Sequence, residues 1–193
     1  MPTDRKQLAE QLVRLLDIRL LDPLEILLDG DESVEALRTV VRIRAVTWAD
    51  RIVAGDDREA VGVIMRVVST LYPDDGPFDP PLDWWRTPLG RAVSRRVGHP
   101  TATAISYAVA GAMLGITRQG VHDLVNRGRL TRHPDGGVVP SSVRDRLLQL
   151  DGQTEPARSD GQAEPARSHE QAEPARSDRQ DGPAQTEGKA DRA

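Results

Sequence analysis

The side chains best suited to recognition chemistry are concentrated in one short stretch of the chain. Thr117, Arg118, Gln119, His122 and Asn126 lie within ten residues. On a helix, the last four fall on one face. Arginine can pair with both acceptors of guanine, and glutamine or asparagine can pair with adenine, in the major groove of duplex DNA. The stretch therefore predicts a surface that reads base edges.

The opposite side of the same stretch is apolar and predicts an amphipathic helix over residues 117–127. Val121, Leu124 and Val125 supply its buried face. Thr117 is suited to cap the N-terminus, where backbone N–H groups favour a phosphate. Asp123 is the one acid on this helix, and it could accept a hydrogen bond from cytosine or hold a neighbouring arginine.

Cations continue beyond the predicted helix. They are Arg127, Arg129, Arg132 and His133. Two short strand-like runs, 130–133 and 138–139, flank the turn sequence PDGG. This pattern predicts a small β-hairpin wing whose cations contact phosphates or enter the minor groove.

A second helix must position the first one. Ser106 can cap a helix from Tyr107 to about Leu114, and Gly115 permits the sharp turn that leads into Thr117. Two short helices joined by a glycine-containing turn form a helix-turn-helix unit. Pro140 then predicts the start of a last helix.

The run LGITRQGVHDLVNRGRL, followed by the hairpin and VVPSSVRDRL, resembles the winged helix-turn-helix of the excisionase and MerR-type DNA-binding family. The resemblance covers about 46 of 193 residues. It implies binding of duplex DNA through Thr117, Arg118, Gln119, His122 and the wing. The turn PDGG departs from the family pattern because it is short and carries an acid, which weakens the case for groove contact by the wing.

Charge is distributed unevenly along a chain whose formal net charge is −4. Residues 1–90 hold 11 Arg/Lys against 17 Asp/Glu, residues 91–150 hold 9 against 3, and residues 151–193 hold 6 against 10. A basic block therefore coincides with the helix-turn-helix, as expected for contact with nucleic acid. Arg91, Arg95 and Arg96 are expected to contact the DNA backbone as well.

Several function classes are excluded by composition. The chain has no cysteine and its four histidines are scattered, so neither a disulfide framework nor a metal site is expected. No phosphate loop or nucleophile elbow is present, which predicts a protein that is not an enzyme and needs no cofactor. No apolar run approaches the roughly 20 residues of a membrane span. We expect no membrane contact and a cytoplasmic, nucleoid-associated location.

The predicted fold is all-α with a small β-hairpin wing. An acidic helical domain spans residues 1–98, a winged helix-turn-helix spans 99–150, and a disordered tail with a nine-residue repeat spans 151–193. In the first domain, Asp22 is expected to be an N-cap before Pro23. Trp84 and Trp85 could stack on bases, but core positions are favoured.

These observations predict a sequence-specific double-stranded DNA-binding protein, a transcriptional regulator that places residues 117–127 in the major groove. Residues 1–98 would form a homodimer or bind a protein partner. An excisionase-like architectural recombination factor is one alternative. A protein-interaction adaptor, or an antitoxin-like partner that uses the helical domain, is an alternative of another class.

Overall fold

Helices form most of the chain in the computed structural model, which describes residues 2–30, 32–73 and 76–154. They are α1 (Pro2–Leu16), α2 (Asp22–Leu27), α3 (Glu32–Ala54), α4 (Asp57–Leu71), α5 (Pro88–Arg96), α6 (Tyr107–Leu114), α7 (Arg118–Asn126) and α8 (Pro140–Thr154). A π-helical turn, Asp17–Leu21, joins α1 to α2, and a 3₁₀ turn, Leu82–Arg86, precedes α5. The predicted helical class is confirmed.

The N-terminal helices pack through leucines of α1 against small residues of α3. Leu8 and Leu12 are buried, as are Ala45 and Ala49, whose small side chains allow the two helices to approach closely. α4 completes this layer with Val63, Ile64 and Val67 among its buried residues. The Asp56 carboxylate accepts a hydrogen bond from the Glu59 N–H at 2.8 Å, so Asp56 caps the N-terminus of α4.

The prediction that Asp22 is an N-cap is wrong. The backbone runs without interruption from the π-helical turn into α2, so no capping site exists at this residue. Its carboxylate instead lies 2.8 Å from the Arg38 guanidinium, which also contacts Asp17 at 3.3 Å and Glu25. The hydrogen bonds to Asp22 and Glu25 raise the pKa of Arg38, and the three contacts tie α3 to α2 and to the π-helical turn.

The tryptophans occupy the core, as favoured by the sequence. Trp85 is fully buried, and Trp84 donates its Nε1–H to the Tyr72 hydroxyl at 2.7 Å. Phe78 packs edge-on against both indoles. The His99 ring lies 5.1 Å from the Trp85 ring, and burial lowers the pKa of His99. This cluster connects the segment before α5 to the segment before α6.

The expected β-hairpin wing does not form a ribbon. Residues 76–154 contain no strand, and segment 130–139 is a loop with isolated bridges from Val138 to Arg132 and to Ile105. Gly136 and Gly137 have φ of +100° and +81°, which are turn conformations and not strand conformations. Few residues of the segment are therefore left to pair as strands. Pro140 begins α8 two residues after the bridge, which leaves no length for a ladder.

Buried side chains from residues 8 to 143 form one continuous core, which includes residues on both sides of position 98. The division into two domains at residue 98 stays a prediction. α8 continues to Thr154, so residues 151–154, predicted to begin the disordered tail, are helical, and the rest of that tail lies outside the described residues. Among the described helices, none is long and apolar enough to cross a membrane.

Candidate nucleic-acid interface

The helix-turn-helix forms with the caps that the sequence predicts. Ser106 Oγ accepts a hydrogen bond from the Val109 N–H at 3.2 Å, and Thr117 Oγ1 accepts one from the Gly120 N–H at 3.1 Å. Gly115, with φ of +69°, ends α6 in the left-handed conformation. The Ile116 N–H then donates to the Gly111 carbonyl at 2.9 Å, which closes the turn.

Small residues are required where the turn folds back on α6. A Cβ atom at Gly111 would lie 2.8 Å from the Ile116 carbonyl oxygen, closer than real Cβ contacts. Ala110 of α6 and Val121 of α7 are both fully buried. This packing fixes the orientation of α7 and leaves its other side outward.

The outward side of α7 carries the residues predicted to read DNA. Thr117, Arg118, Gln119, His122 and Asn126 are all exposed, and we call them the α7 reading face. Gln119 Nε2 donates to Asp123 Oδ1 at 3.2 Å, and the Asn126 amide lies 3.1 Å from His122 Nδ1. Asp123 thus holds a glutamine, and neither alternative from the sequence describes its contact in the free protein.

Four arginines in and just after α7 have charges that no ion pair within the fold neutralises. Arg118, Arg127, Arg129 and Arg132 are exposed, and their guanidinium groups make no ion pair or hydrogen bond with any described residue. We call them the four free arginines. Only Asp123 and Asp135 supply negative charge between residues 117 and 137. Residues 117–137 therefore hold more positive than negative charge, and no internal contact neutralises the four free arginines.

His133, also predicted to contact DNA, lies mostly buried beside the turn at residues 134–137. Its side chain is only 19% exposed, and its Nδ1 accepts a hydrogen bond from the Asp135 N–H at 3.2 Å. The ring therefore stabilises the turn at residues 134–137. It does not project with the four free arginines.

The arginines of α5 make hydrogen bonds and ion pairs within the fold. Arg96 donates to Asp57 at 2.9 Å and to the Ile52 and Val53 carbonyls. Arg95 lies 2.9 Å from Asp151, while Arg91 donates to the Arg86 carbonyl. They line a cavity of about 440 Å³. Their place in the fold makes them poorer candidates for phosphate contact than the four free arginines.

Tyr107 is a neighbour of the reading face that the sequence analysis missed. Its ring lies edge-on to the His122 ring, with centroids 6.2 Å apart, and the side chain is half-buried. Its place in the sequence, as the first residue of α6, could have predicted this contact, because a helix-turn-helix brings that end of α6 beside α7.

Comparisons with known proteins do not identify this chain: no family model, no curated protein and no solved structure matches it. The resemblance over residues 105–150 therefore rests on the residues themselves.

Proposed function

We propose that this protein is a sequence-specific double-stranded DNA-binding protein that acts as a transcriptional regulator and is not an enzyme. The observation that carries the proposal is the combination of the exposed reading face with the four free arginines. Specific recognition needs base-reading side chains and phosphate-binding cations on one surface. A helix-turn-helix that only supports the core has no need of that combination.

In this proposal α7 enters the major groove. Arg118 and Gln119, next to the capped N-terminus, contact base edges, and His122 and Asn126 extend the contact along the groove. Arg127, Arg129 and Arg132 contact phosphates on either side. Because the loop at 130–139 is short and held to Ile105, it is assigned to backbone contact rather than to insertion in the minor groove.

The test begins with selection of bound sites from random duplexes by the full chain. Anisotropy titrations on the selected site should then show log affinity falling with log salt, with a slope of about −3 per bound copy if Arg127, Arg129 and Arg132 each neutralise a phosphate. A bending assay on the same site separates a regulator from an excisionase-like architectural factor. Absence of duplex binding at low salt would refute the proposal.

One observation favours a second candidate function, that of a protein-interaction adaptor or antitoxin-like partner. Ile26 and Leu27, at the end of α2, are 77% and 78% exposed, which is unusual for neighbouring large apolar residues. A chain that works only through this end should keep its partner affinity when Arg118 and Arg132 are replaced by alanine. A regulator loses DNA binding in that variant.

A further inference from the structure

α3 carries apolar residues on both sides, and only one side is covered. Val34, Ala45, Ala49 and Ile52 face the core. Away from them, Val40 is 52% exposed and Ile43 is 64% exposed. Large apolar residues that lie together on the exposed side of a helix usually mark an interaction surface. The bare side of α3 therefore needs an explanation beyond the fold of one chain.

The bare side has the spacing of a helix-pairing seam. Ala36, Val40, Ile43 and Thr47 are separated by four, three and four residues, which places them on one line along α3. We call these four residues the α3 seam. It contains no charged residue, and the Thr47 hydroxyl donates to the Ile43 carbonyl at 3.3 Å, so no donor of the seam is left without a partner on contact.

The seam is symmetric about its midpoint, between residues 40 and 43. A two-fold axis there would place Val40 against Ile43 of a second copy and Ala36 against Thr47 of that copy. Each large residue then meets a large one and each small residue meets a small one. We propose that the occupant of this surface is a second copy of the chain, bound through antiparallel contact of the two α3 helices.

Exposed apolar surface is concentrated in the same part of the chain. Of the fourteen large apolar residues that are exposed in the described chain, nine lie between residues 18 and 46. The seam is a single line of four side chains about 17 Å long. A standard interface takes about 800 Å² from each partner, so residues beside the seam must also contribute. Leu37 and Val46, 43% and 53% exposed, flank the seam and enlarge the contact.

The proposal goes beyond the proposed function, specifies the homodimer predicted for residues 1–98 and does not depend on DNA binding, so its test uses the full chain without DNA. Light scattering should give twice the chain mass of 21.2 kDa at micromolar concentration. Ile43→Glu should raise the dimer dissociation constant by about 100-fold or more, because a symmetric interface contains the change twice. Met65→Glu on α4, where Met65 is 38% exposed, is the matched control and should leave the dimer intact.

Cysteine crosslinking tests the orientation, and the natural chain contributes no background because it has no cysteine. A mixture of Val40→Cys and Ile43→Cys proteins should form an intermolecular disulfide faster than either protein alone. Faster crosslinking of either single variant alone would refute the antiparallel arrangement. A monomer at all concentrations, or a dimer that Ile43→Glu does not weaken, would refute the interface, whether or not the chain binds DNA.

Discussion

Arginine residues in this chain fall into two groups according to what their guanidinium groups contact. Between residues 91 and 150 there are nine arginines, and a charge count treats them alike. Arg96 and Arg144 both bind Asp57, at 2.9 and 2.8 Å, and so belong to the fold. The four free arginines make no such contact. At the level of single residues, the positive charge that no internal contact neutralises is therefore smaller than the sequence indicates, and between residues 91 and 150 it lies in and just after α7.

This division predicts two kinds of effect on DNA binding. Arg118→Ala or Gln119→Ala should cost about 1–3 kcal/mol on the selected site and relax the preference for one base, because each removes a base contact. Arg132→Ala should weaken all duplexes similarly and reduce the salt slope by about 1, because it removes a phosphate contact. Anisotropy titrations on selected and random duplexes distinguish the two.

Arg66→Ala is the matched control for these variants. Arg66 is exposed on α4, and its guanidinium group is also without a partner among the described residues. Its removal should leave both affinity and salt slope unchanged. Equal losses for Arg66→Ala and Arg118→Ala would show that α7 is not the reading helix.

At the scale of the element, the turn between α6 and α7 determines whether the reading face is held in place. The closing hydrogen bond from Ile116 to Gly111 brings two backbone segments together, and glycine is the one residue that fits. A second close approach explains why segment 130–139 forms no β-ribbon. Gly137 lies so close to Ile105 that its Cβ would be 2.3 Å from that carbonyl oxygen, so the loop packs on the segment before α6 and does not extend outward.

Gly111→Ala should therefore lower the free energy of unfolding by about 1–3 kcal/mol, because the new methyl group forces the Ile116 carbonyl to move. Gly62→Ala provides the control: nothing lies within 4 Å of its Cβ position on α4, and loss of backbone entropy in the unfolded chain should stabilise that variant by about 0.5–1 kcal/mol. Urea unfolding measures both. Similar stabilities for the two variants would contradict the close approach at Gly111.

At the scale of the whole molecule, Asp57 connects parts of the chain that are distant in sequence. It begins α4, and its two carboxylate oxygens contact Arg96 of α5 and Arg144 of α8. The hydrogen bond from Arg96, with the nearby charge of Arg144, lowers the pKa of Asp57 below its usual value of 3.8. The helix that follows the candidate interface is thus tied to the N-terminal helices by one ionised group.

Asp57→Asn should lower the melting temperature at neutral pH. Because the folded-state pKa of Asp57 is below the unfolded value, its stabilising effect is present above about pH 3.8 and is lost as pH falls through the lowered pKa. The difference in melting temperature between the natural chain and the variant should therefore shrink in acid. Thermal unfolding followed by circular dichroism over this pH range measures it.

Asp56→Asn is the control, since it removes an adjacent negative charge while asparagine caps a helix as well as aspartate does. It should leave the melting temperature at neutral pH nearly unchanged. A loss in Asp57→Asn that is independent of pH would show that the ion pairs are not its cause.

The two helices of the helix-turn-helix and the turn between them could be predicted from neighbouring residues alone. Ser106 and Thr117 are N-caps as predicted, and the bounds of α6 and α7 follow from them, because capping and glycine turns depend on a few neighbouring residues. Three features come from tertiary contacts: which arginines form ion pairs, the loop bridged to Ile105 in place of a wing, and the bare side of α3. These depend on contacts between segments far apart in the chain, such as Asp57 with Arg144, and a linear pattern does not specify them.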